Sequence, residues 1–320
     1  MASPHQATYN GRLHYIPPGL VAFEPSRNTA SSESQNTLIW IGGLFDTLGS
    51  VSYPFSVASA LPSTWSLATV SLSSAGKSWG VSSIVQDANE IAKIVAHFEQ
   101  LRPSGKIVIM GHSTGCQDCI EYLTGSGSDS RPKVDGVILQ APVSDREAIA
   151  HELPEAMLHE ANQTASKMCR EGKDKDAMPY RITKNVFGRA AITARRWVDI
   201  ASPGPDHTGA DDFFSSDLSD DRLRRTFGKL PPATALLILY SGNDESVPPS
   251  VDKQKLVSRW INAAKQAGGQ VDEKNGSIVP GATHNYGGCP DAVVQDLVRR
   301  VVGFVTRLDN GDFRANESRM

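Results

Sequence analysis

Ile109-Met-Gly-His-Ser-Thr-Gly115 decides how this 320-residue chain is read. Its centre, Gly111-His112-Ser113-Thr114-Gly115, is a Gly-x-Ser-x-Gly. It follows Lys106-Ile-Val-Ile-Met-Gly111, an apolar run that reads as a buried strand, and it precedes a stretch from Gly115 to Thr124 that can continue as a helix. A serine on so tight a strand-to-helix turn takes a strained backbone conformation that lifts its hydroxyl above the sheet. Glycines two positions to either side leave room for the neighbouring strand and helix. The helix that starts at Thr114 aims its free N–H groups and positive dipole end at the place where an oxyanion would form. Without this context the five residues are an ordinary glycine-rich turn. With a strand before and a helix after, Ser113 is a candidate nucleophile.

Outward from this turn the chain alternates strand and helix. Gly11 to Phe23 reads as a short β-hairpin and Ser26 to Asn36 as a polar loop. Thr37-Leu-Ile-Trp-Ile-Gly42 is an apolar run ending in glycines, and Trp65 to Leu72 alternates as a further strand. Ile84, Ile91, Ile94, Val95 and Phe98 stand at helical spacing between Ile84 and Leu101, with Pro103 just past the end. Val134 to Leu139 is again a strand. From about residue 143 to 232 the strand signal disappears, and the stretch is charged and helix-prone with irregular segments such as Ser202-Pro-Gly-Pro205. Alternation resumes with a strand from Ala235 to Tyr240 and a helix from about Ser250 to Ala267. A short strand around Ile278 and a terminal helix from Pro290 to about Leu308 complete it. The middle stretch is too long for an ordinary loop. Residues 143–232 are therefore expected to form a helical cap inserted into a single domain spanning 1–320. The class is α/β, with a mostly parallel central sheet and helices on both faces. No internal repeat is visible.

A serine hydroxyl needs a base, and the base an orienting acid. On such a sheet the partners follow in the order serine, acid, histidine. Asp244, in Leu239-Tyr-Ser-Gly-Asn-Asp-Glu-Ser-Val-Pro248, falls just past a strand, with Glu245 a direct rival for the same task. His284, in Gly281-Ala-Thr-His-Asn285, follows the final short strand. Both positions lie at strand C-terminal ends, where an α/β sheet gathers its reacting groups. Asp244 could instead only shape a turn, and His284 could be a satisfied loop histidine. His112, beside the nucleophile, should point away from its hydroxyl and pack. Of the two backbone donors an oxyanion needs, one should be Thr114 N–H. The other should come from Ile41-Gly-Gly-Leu-Phe-Asp46, through Leu44 N–H or, alternatively, Gly43.

Composition excludes several classes. Thirty-two basic against 35 acidic residues leave a net charge of -3, which gives no electrostatic case for nucleic acid or an anionic membrane. No apolar run is long enough for a membrane span. The first residues lack the layout of a secretory signal, and four cysteines in a chain this long fit a reducing compartment. The expected location is the cytoplasm; the alternative is the peroxisome, since Ser318-Arg319-Met320 loosely resembles the Ser-Lys-Leu address. Ala75-Gly-Lys-Ser78 lacks the first glycine of a phosphate loop. Cys116 and Cys119 have metal spacing but no second pair, so they read as helix packing, and His151-Glu152 lacks the second histidine of a zinc helix. Serine chemistry calls for no metal and no organic cofactor.

With these residues in place, the chain resembles a branch of the α/β-hydrolases. It is a family of fungal and plant proteins of formerly unknown function that includes fungal siderophore esterases. The resemblance rests on Trp40-Ile-Gly-Gly-Leu-Phe-Asp46, Gly111-His-Ser-Thr-Gly-Cys-Gln-Asp118, Gln140-Ala-Pro-Val-Ser-Asp145 and Ser241-Gly-Asn-Asp-Glu-Ser-Val-Pro248, and it spans nearly the whole chain. It implies the α/β-hydrolase fold and serine esterase chemistry. For the fungal branch it implies a small-molecule ester as partner, a ferric fusarinine-type siderophore such as fusarinine C or triacetylfusarinine C. Its ornithine ester bonds would be hydrolysed to release iron inside the cell. A bulky trihydroxamate would have to pass the insertion, whose Arg195, Trp197, Asp211 and Phe213 are candidate contacts; a plain solvated cap is the other reading. Two further functions stay open. One is acyl transfer, or hydrolysis of other bulky or lipid esters. The other is non-catalytic ligand binding on the same fold, against which three intact candidate residues argue.

Overall fold

Along the middle strands, alternate residues go to opposite faces. In β3 (Asn36–Ile41), Ile39 and Ile41 join one buried layer while Leu38 and Trp40 join the other. β5 (Ile107–His112) divides in the same way, Ile107 and Ile109 against Val108 and Met110. So does β7 (Ala235–Ser241), with Leu236, Ile238 and Tyr240 against Leu237 and Leu239. Strands apolar on both sides must be covered on both sides, and this is why the runs read as continuous. The structure is a computed structural model that describes residues 7–26 and 34–313.

Five further strands complete the sheet: β1 (Gly11–Ile16), β2 (Leu20–Pro25), β4 (Trp65–Ser71), β6 (Gly136–Gln140) and β8 (Ser277–Val279). The spatial order is β1-β2-β4-β3-β5-β6-β7-β8. β2 runs antiparallel to both β1 and β4, and from β4 to β8 every pairing is parallel. The parallel part therefore collects its strand C-termini, and the loops that leave them, along one edge.

The helices are α1 (Tyr53–Ala60), α2 (Ile84–Leu101), α3 (Thr114–Thr124), α4 (Asp145–Glu152), α5 (Glu155–Arg170), α6 (Tyr180–Phe187), α7 (Ala194–Ala201), α8 (Asp220–Arg224), α9 (Lys253–Gln266) and α10 (Asp291–Asn310). α2, α3 and α9 cover one face through residues such as Ile91, Phe98, Ile120 and Trp260. α1 and α10 cover the other through Tyr53, Val57, Leu297, Val301 and Phe304. α2 begins where the Ser83 side chain accepts the Gln86 N–H at 3.2 Å, which supplies one of the orphan donors of a first turn. α1 is an element that the sequence pattern did not disclose: its buried residues, Tyr53, Pro54, Phe55, Val57 and Ala58, follow no 3.6-residue stripe.

Between β6 and β7 the chain carries α4 to α8, and this stretch packs in two ways. Ile149, Ala161, Ala165, Ile182, Phe187, Trp197 and Ile200 form a buried cluster of their own, which also takes in Trp79 from the β4–α2 connection. Phe214, Leu218, Leu223 and Phe227 instead join the layer of α9, where Phe227 stacks on Trp260 at 5.5 Å between ring centroids. Among the described residues no helix is long and apolar enough to cross a membrane. Ser318, Arg319 and Met320 lie outside the described residues, as does part of the predicted polar loop from Ser26 to Asn36.

Candidate active site

Ser113 stands between the end of β5 and the first residue of α3 with φ 53° and ψ −124°. That backbone region is sparsely populated for a residue with a Cβ and costs about 1–3 kcal/mol. The turn persists because its surroundings fix it. A Cβ at Gly111 would lie 2.2 Å from the Gly115 carbonyl oxygen, and one at Gly115 would lie 2.4 Å from that of Ile41. Any larger residue at either position would push β5, α3 and β3 apart.

The partners reach the serine from two loops. β7 ends at Ser241 and the following turn bears Asp244; β8 is followed by the turn that bears His284. The two turns are tied together, with Gly242 N–H donating to Val279 O at 3.0 Å and Asn243 N–H to Ala282 O at 2.8 Å. His284 Nε2 lies 2.8 Å from Ser113 Oγ. Its Nδ1 lies 2.9 and 3.0 Å from the two carboxylate oxygens of Asp244. Glu245, the rival acid, does something different: its carboxylate accepts the backbone N–H of His284 at 2.9 Å. Burial pushes the His284 pKa down, but the hydrogen bond and charge of Asp244, with Glu245 and Asp145 adding to them, outweigh it and leave the value raised. An imidazole so placed can take the serine proton and be stabilised as a cation.

His112 faces away from the serine into a buried network. Its Nδ1 lies 2.6 Å from Gln140 Oε1, which also accepts the Tyr53 hydroxyl at 2.7 Å, and that hydroxyl accepts the Trp40 indole N–H at 2.9 Å. The amide of Gln140 donates to His284 O at 3.3 Å. Burial and the neighbouring His284 push the His112 pKa down to about 3, so this ring stays neutral. Gln140 thus supports the His284 turn from beneath. Its position at the end of a strand buried on both faces was a signal for such a polar anchor, because an amide there must find partners.

At the β3 loop, Gly43 N–H donates to Asp46 Oδ2 at 2.8 Å, whereas Leu44 N–H and Thr114 N–H meet no protein acceptor among the described residues. Two of the insertion residues expected to touch a substrate are enclosed instead. Trp197 is fully buried in the insertion's own cluster, its indole N–H donating to Asn162 at 2.9 Å. Asp211 is buried as well and accepts from Arg196 Nη1 through both oxygens at 2.7 Å. Their aromatic and charged character serves internal packing: a segment of this size needs a core, and a buried carboxylate needs a cation. Arg195 is half exposed and pairs with Asp199 one turn along its helix, and Phe213 packs partly buried beside Phe214. Cys116 and Cys119 are buried in α3, and burial pushes both thiols well above their ordinary range.

Comparison with known proteins fixes the family. The family described as "Protein of unknown function (DUF1749)" matches residues 1–306. The chain belongs to this family. It is 36% identical to the fusarinine C esterase sidJ of Aspergillus fumigatus, with 93% of this chain and 96% of that protein covered. It is 37% identical to an esterase of Emericella nidulans, with 98% and 96% covered. Among solved structures, the siderophore hydrolase EstB from Aspergillus fumigatus matches with a TM-score of 0.80 and 35% identity, over 95% of this chain and 98% of that one. The resemblance read from the sequence is borne out, as is the α/β-hydrolase fold. This DUF1749 member is a carboxylic ester hydrolase.

Proposed function

We propose that this esterase works through Ser113 as nucleophile, His284 as base and Asp244 as the acid that orients it. Its proposed substrates are ferric fusarinine-type siderophores, fusarinine C and triacetylfusarinine C among them. The observation that carries the catalytic part is the unbroken chain of contacts from Ser113 Oγ through both ring nitrogens of His284 to Asp244, at 2.8 and 2.9 Å. The siderophore part is supported by the names of two relatives matched over nearly their whole length. On this reading residues 143–232 act as a cap that the substrate must pass, and the iron freed inside the cell arrives only with the substrate.

His284 Nε2 takes the hydroxyl proton as Ser113 Oγ bonds to the ester carbonyl carbon. Leu44 and Thr114 N–H hold the resulting oxyanion. Leu44 is favoured over Gly43, whose N–H is engaged by Asp46. Collapse breaks the bond to the leaving alcohol, which departs with the proton from His284. Water, deprotonated by the same imidazole, then cleaves the acyl-enzyme and restores the serine. Asp244 keeps the proton on Nδ1 in the resting state and stabilises the cation that forms.

The test is mass spectrometry of purified protein incubated with ferric fusarinine C and ferric triacetylfusarinine C beside simple acyl esters. Preferential release of monomeric hydroxamate acids from the siderophores is expected. Hydrolysis of the simple esters with both siderophores untouched would remove the substrate assignment. A fluorophosphonate that failed to label Ser113 would remove the nucleophile.

A further inference from the structure

Gly42 and Gly43 bring the β3 loop onto the nucleophile. A Cβ on Gly43 would lie 2.6 Å from that of Ser113, and one on Gly42 would lie 2.7 Å from that of Asp46. The loop then turns at once. Asp46 N–H donates to Gly43 O at 3.1 Å and closes a four-residue turn whose third residue, Phe45, stands at φ 67°. A bulky residue with a Cβ enters that left-handed region only where its surroundings hold it. The backbone bond is one clasp on this turn. The carboxylate of Asp46 is the second: Oδ2 accepts Gly43 N–H at 2.8 Å and Oδ1 accepts the Ser50 hydroxyl at 3.0 Å. Gly43 and Asp46 are thus joined by two hydrogen bonds of opposite sense, and the next N–H along the chain, that of Leu44, is left without a protein acceptor among the described residues.

Nothing else in the site claims this carboxylate. Among the described residues no hydrogen bond joins it to Ser113 or His284. Its other close neighbour is His112, whose Nε2 stands 3.8 Å from Oδ2, too far for a hydrogen bond. Nor has that nitrogen a hydrogen to give. The His112 ring is neutral and its Nδ1 faces Gln140 Oε1, an oxygen that can only accept, so the one ring hydrogen sits on Nδ1. The side chain of Asp46 is therefore spent on the turn itself. What depends on the turn is chemical. Donors for an oxyanion act best when fixed before the charge develops, and a displacement of about 1 Å can cost about 10²-fold in rate.

We propose that Asp46 is a positioning residue for the oxyanion site: it withdraws Gly43 N–H from the reacting oxygen and holds Leu44 N–H ready to receive it. It acts through the reach and the acceptor oxygens of its side chain, and not through its charge. The proposal rests on Ser113 being the nucleophile and Leu44 N–H a donor to the oxyanion.

The experiment compares Asp46→Ala, Asp46→Glu and Asp46→Asn with the wild-type protein on p-nitrophenyl acetate and with trifluoromethyl pentyl ketone as inhibitor. Ser113 Oγ adds to the ketone carbon, the carbonyl electron pair moves to oxygen and the hydroxyl proton to His284, so the adduct carries the oxyanion with no leaving group. Rates are referred to the amount of Ser113 that a fluorophosphonate labels at its end-point. Alanine loses the clasp, and glutamate keeps the charge but overreaches the turn by a methylene. Each should lower kcat by about 10²-fold with KM within about threefold, and raise the ketone's Ki by the same factor as kcat falls. Asparagine keeps an acceptor oxygen at the right reach, and its NH₂ can face Ser50 Oγ, whose own hydrogen can turn to Thr47 O at 3.0 Å. It should recover most of the loss, to within about fivefold of wild type. Asparagine as damaged as alanine would overturn the proposal, and so would glutamate as active as the wild type. A loss that falls on KM with the ketone's Ki unmoved would mean a general structural role and overturn it too. Three variants near wild type, with Ser113 labelled, would end the role of Asp46 and leave the serine assignment standing. A wild-type Ser113 that stays unlabelled would end both. Should Asp46→Ala fail to fold, the order of Asp46→Asn and Asp46→Glu decides.

Discussion

Ser113, Asp244 and His284 are carried on short turns at the ends of β5, β7 and β8, whereas between β6 and β7 Arg196 and Asp211 hold each other and Trp197 is held by an apolar cluster. The first arrangement draws its precision from the sheet. Parallel registers such as Leu239 against Ser277 set where each turn leaves the edge, and the turns need to contribute only a few hydrogen bonds. The second builds its own small core and a buried ion pair to obtain any fixed geometry. The two should therefore fail differently. Damage at the edge should abolish turnover without unfolding the protein, and damage in the insertion should loosen structure first.

The largest effect belongs to the edge. Ser113→Ala should lower kcat on any ester by about 10⁴- to 10⁶-fold while the melting temperature stays within a degree or two, since only a hydroxyl is removed. Near-normal hydrolysis by this variant would break the comparison at its base. Next, Asp244→Asn keeps the shape but offers an amide to His284 Nδ1, and it should cost about 10³- to 10⁴-fold in kcat, again with little change in melting. Steady-state kinetics beside calorimetry check both.

The insertion is tested by Trp197→Ala. The indole is fully buried, touches Phe187 at 6.0 Å between centroids and donates to Asn162. Its removal should destabilise the protein by about 3–5 kcal/mol. Urea unfolding and limited proteolysis are the measurements, with new cleavage expected between α4 and α7. Unchanged stability would mean that the cluster of α4 to α7 is not a cooperative unit.

The same contrast explains what could be read beforehand. The middle strands β3, β5 and β7 announced themselves because burial on two faces demands a continuous apolar run, and α2 was legible to the residue from its spacing and Pro103. The catalytic candidates were legible because the elbow constrains both sequence and backbone, and because a fixed strand order carries the acid and the histidine to the same edge. The insertion was not. Trp197 and Asp211 look in sequence like surface groups waiting for a ligand, and only the packing of α5 against α7 encloses them. α1 escaped because eight residues starting at a proline and buried on several sides carry no helical stripe. Glu245 was ambiguous for a deeper reason: two adjacent acids on one turn differ only in where the next loop approaches, and that approach is set by β8 pairing with β7.

Glu245 provides the smallest and sharpest test. If Asp244 alone serves the imidazole, Glu245→Gln should keep kcat/KM within about fivefold, because the amide oxygen can still accept the His284 N–H and a partly solvated charge is worth little. Its signature should be in the pH profile. On the proposed mechanism His284 has to be neutral to take the serine proton, and its pKa stands above the ordinary 6.5 in spite of burial, through Asp244 first and Glu245 after it. Activity should therefore rise with pH through a midpoint above 6.5, and removing the Glu245 charge should move that midpoint down, giving the variant relatively more activity on the acid side. Glu245→Ala loses the backbone acceptor as well, so it should show the same downward displacement with a lower plateau. A Glu245→Gln variant as crippled as Asp244→Asn would mean that the two acids share the orienting task, and that the sheet edge depends on mutual support in the way the insertion does.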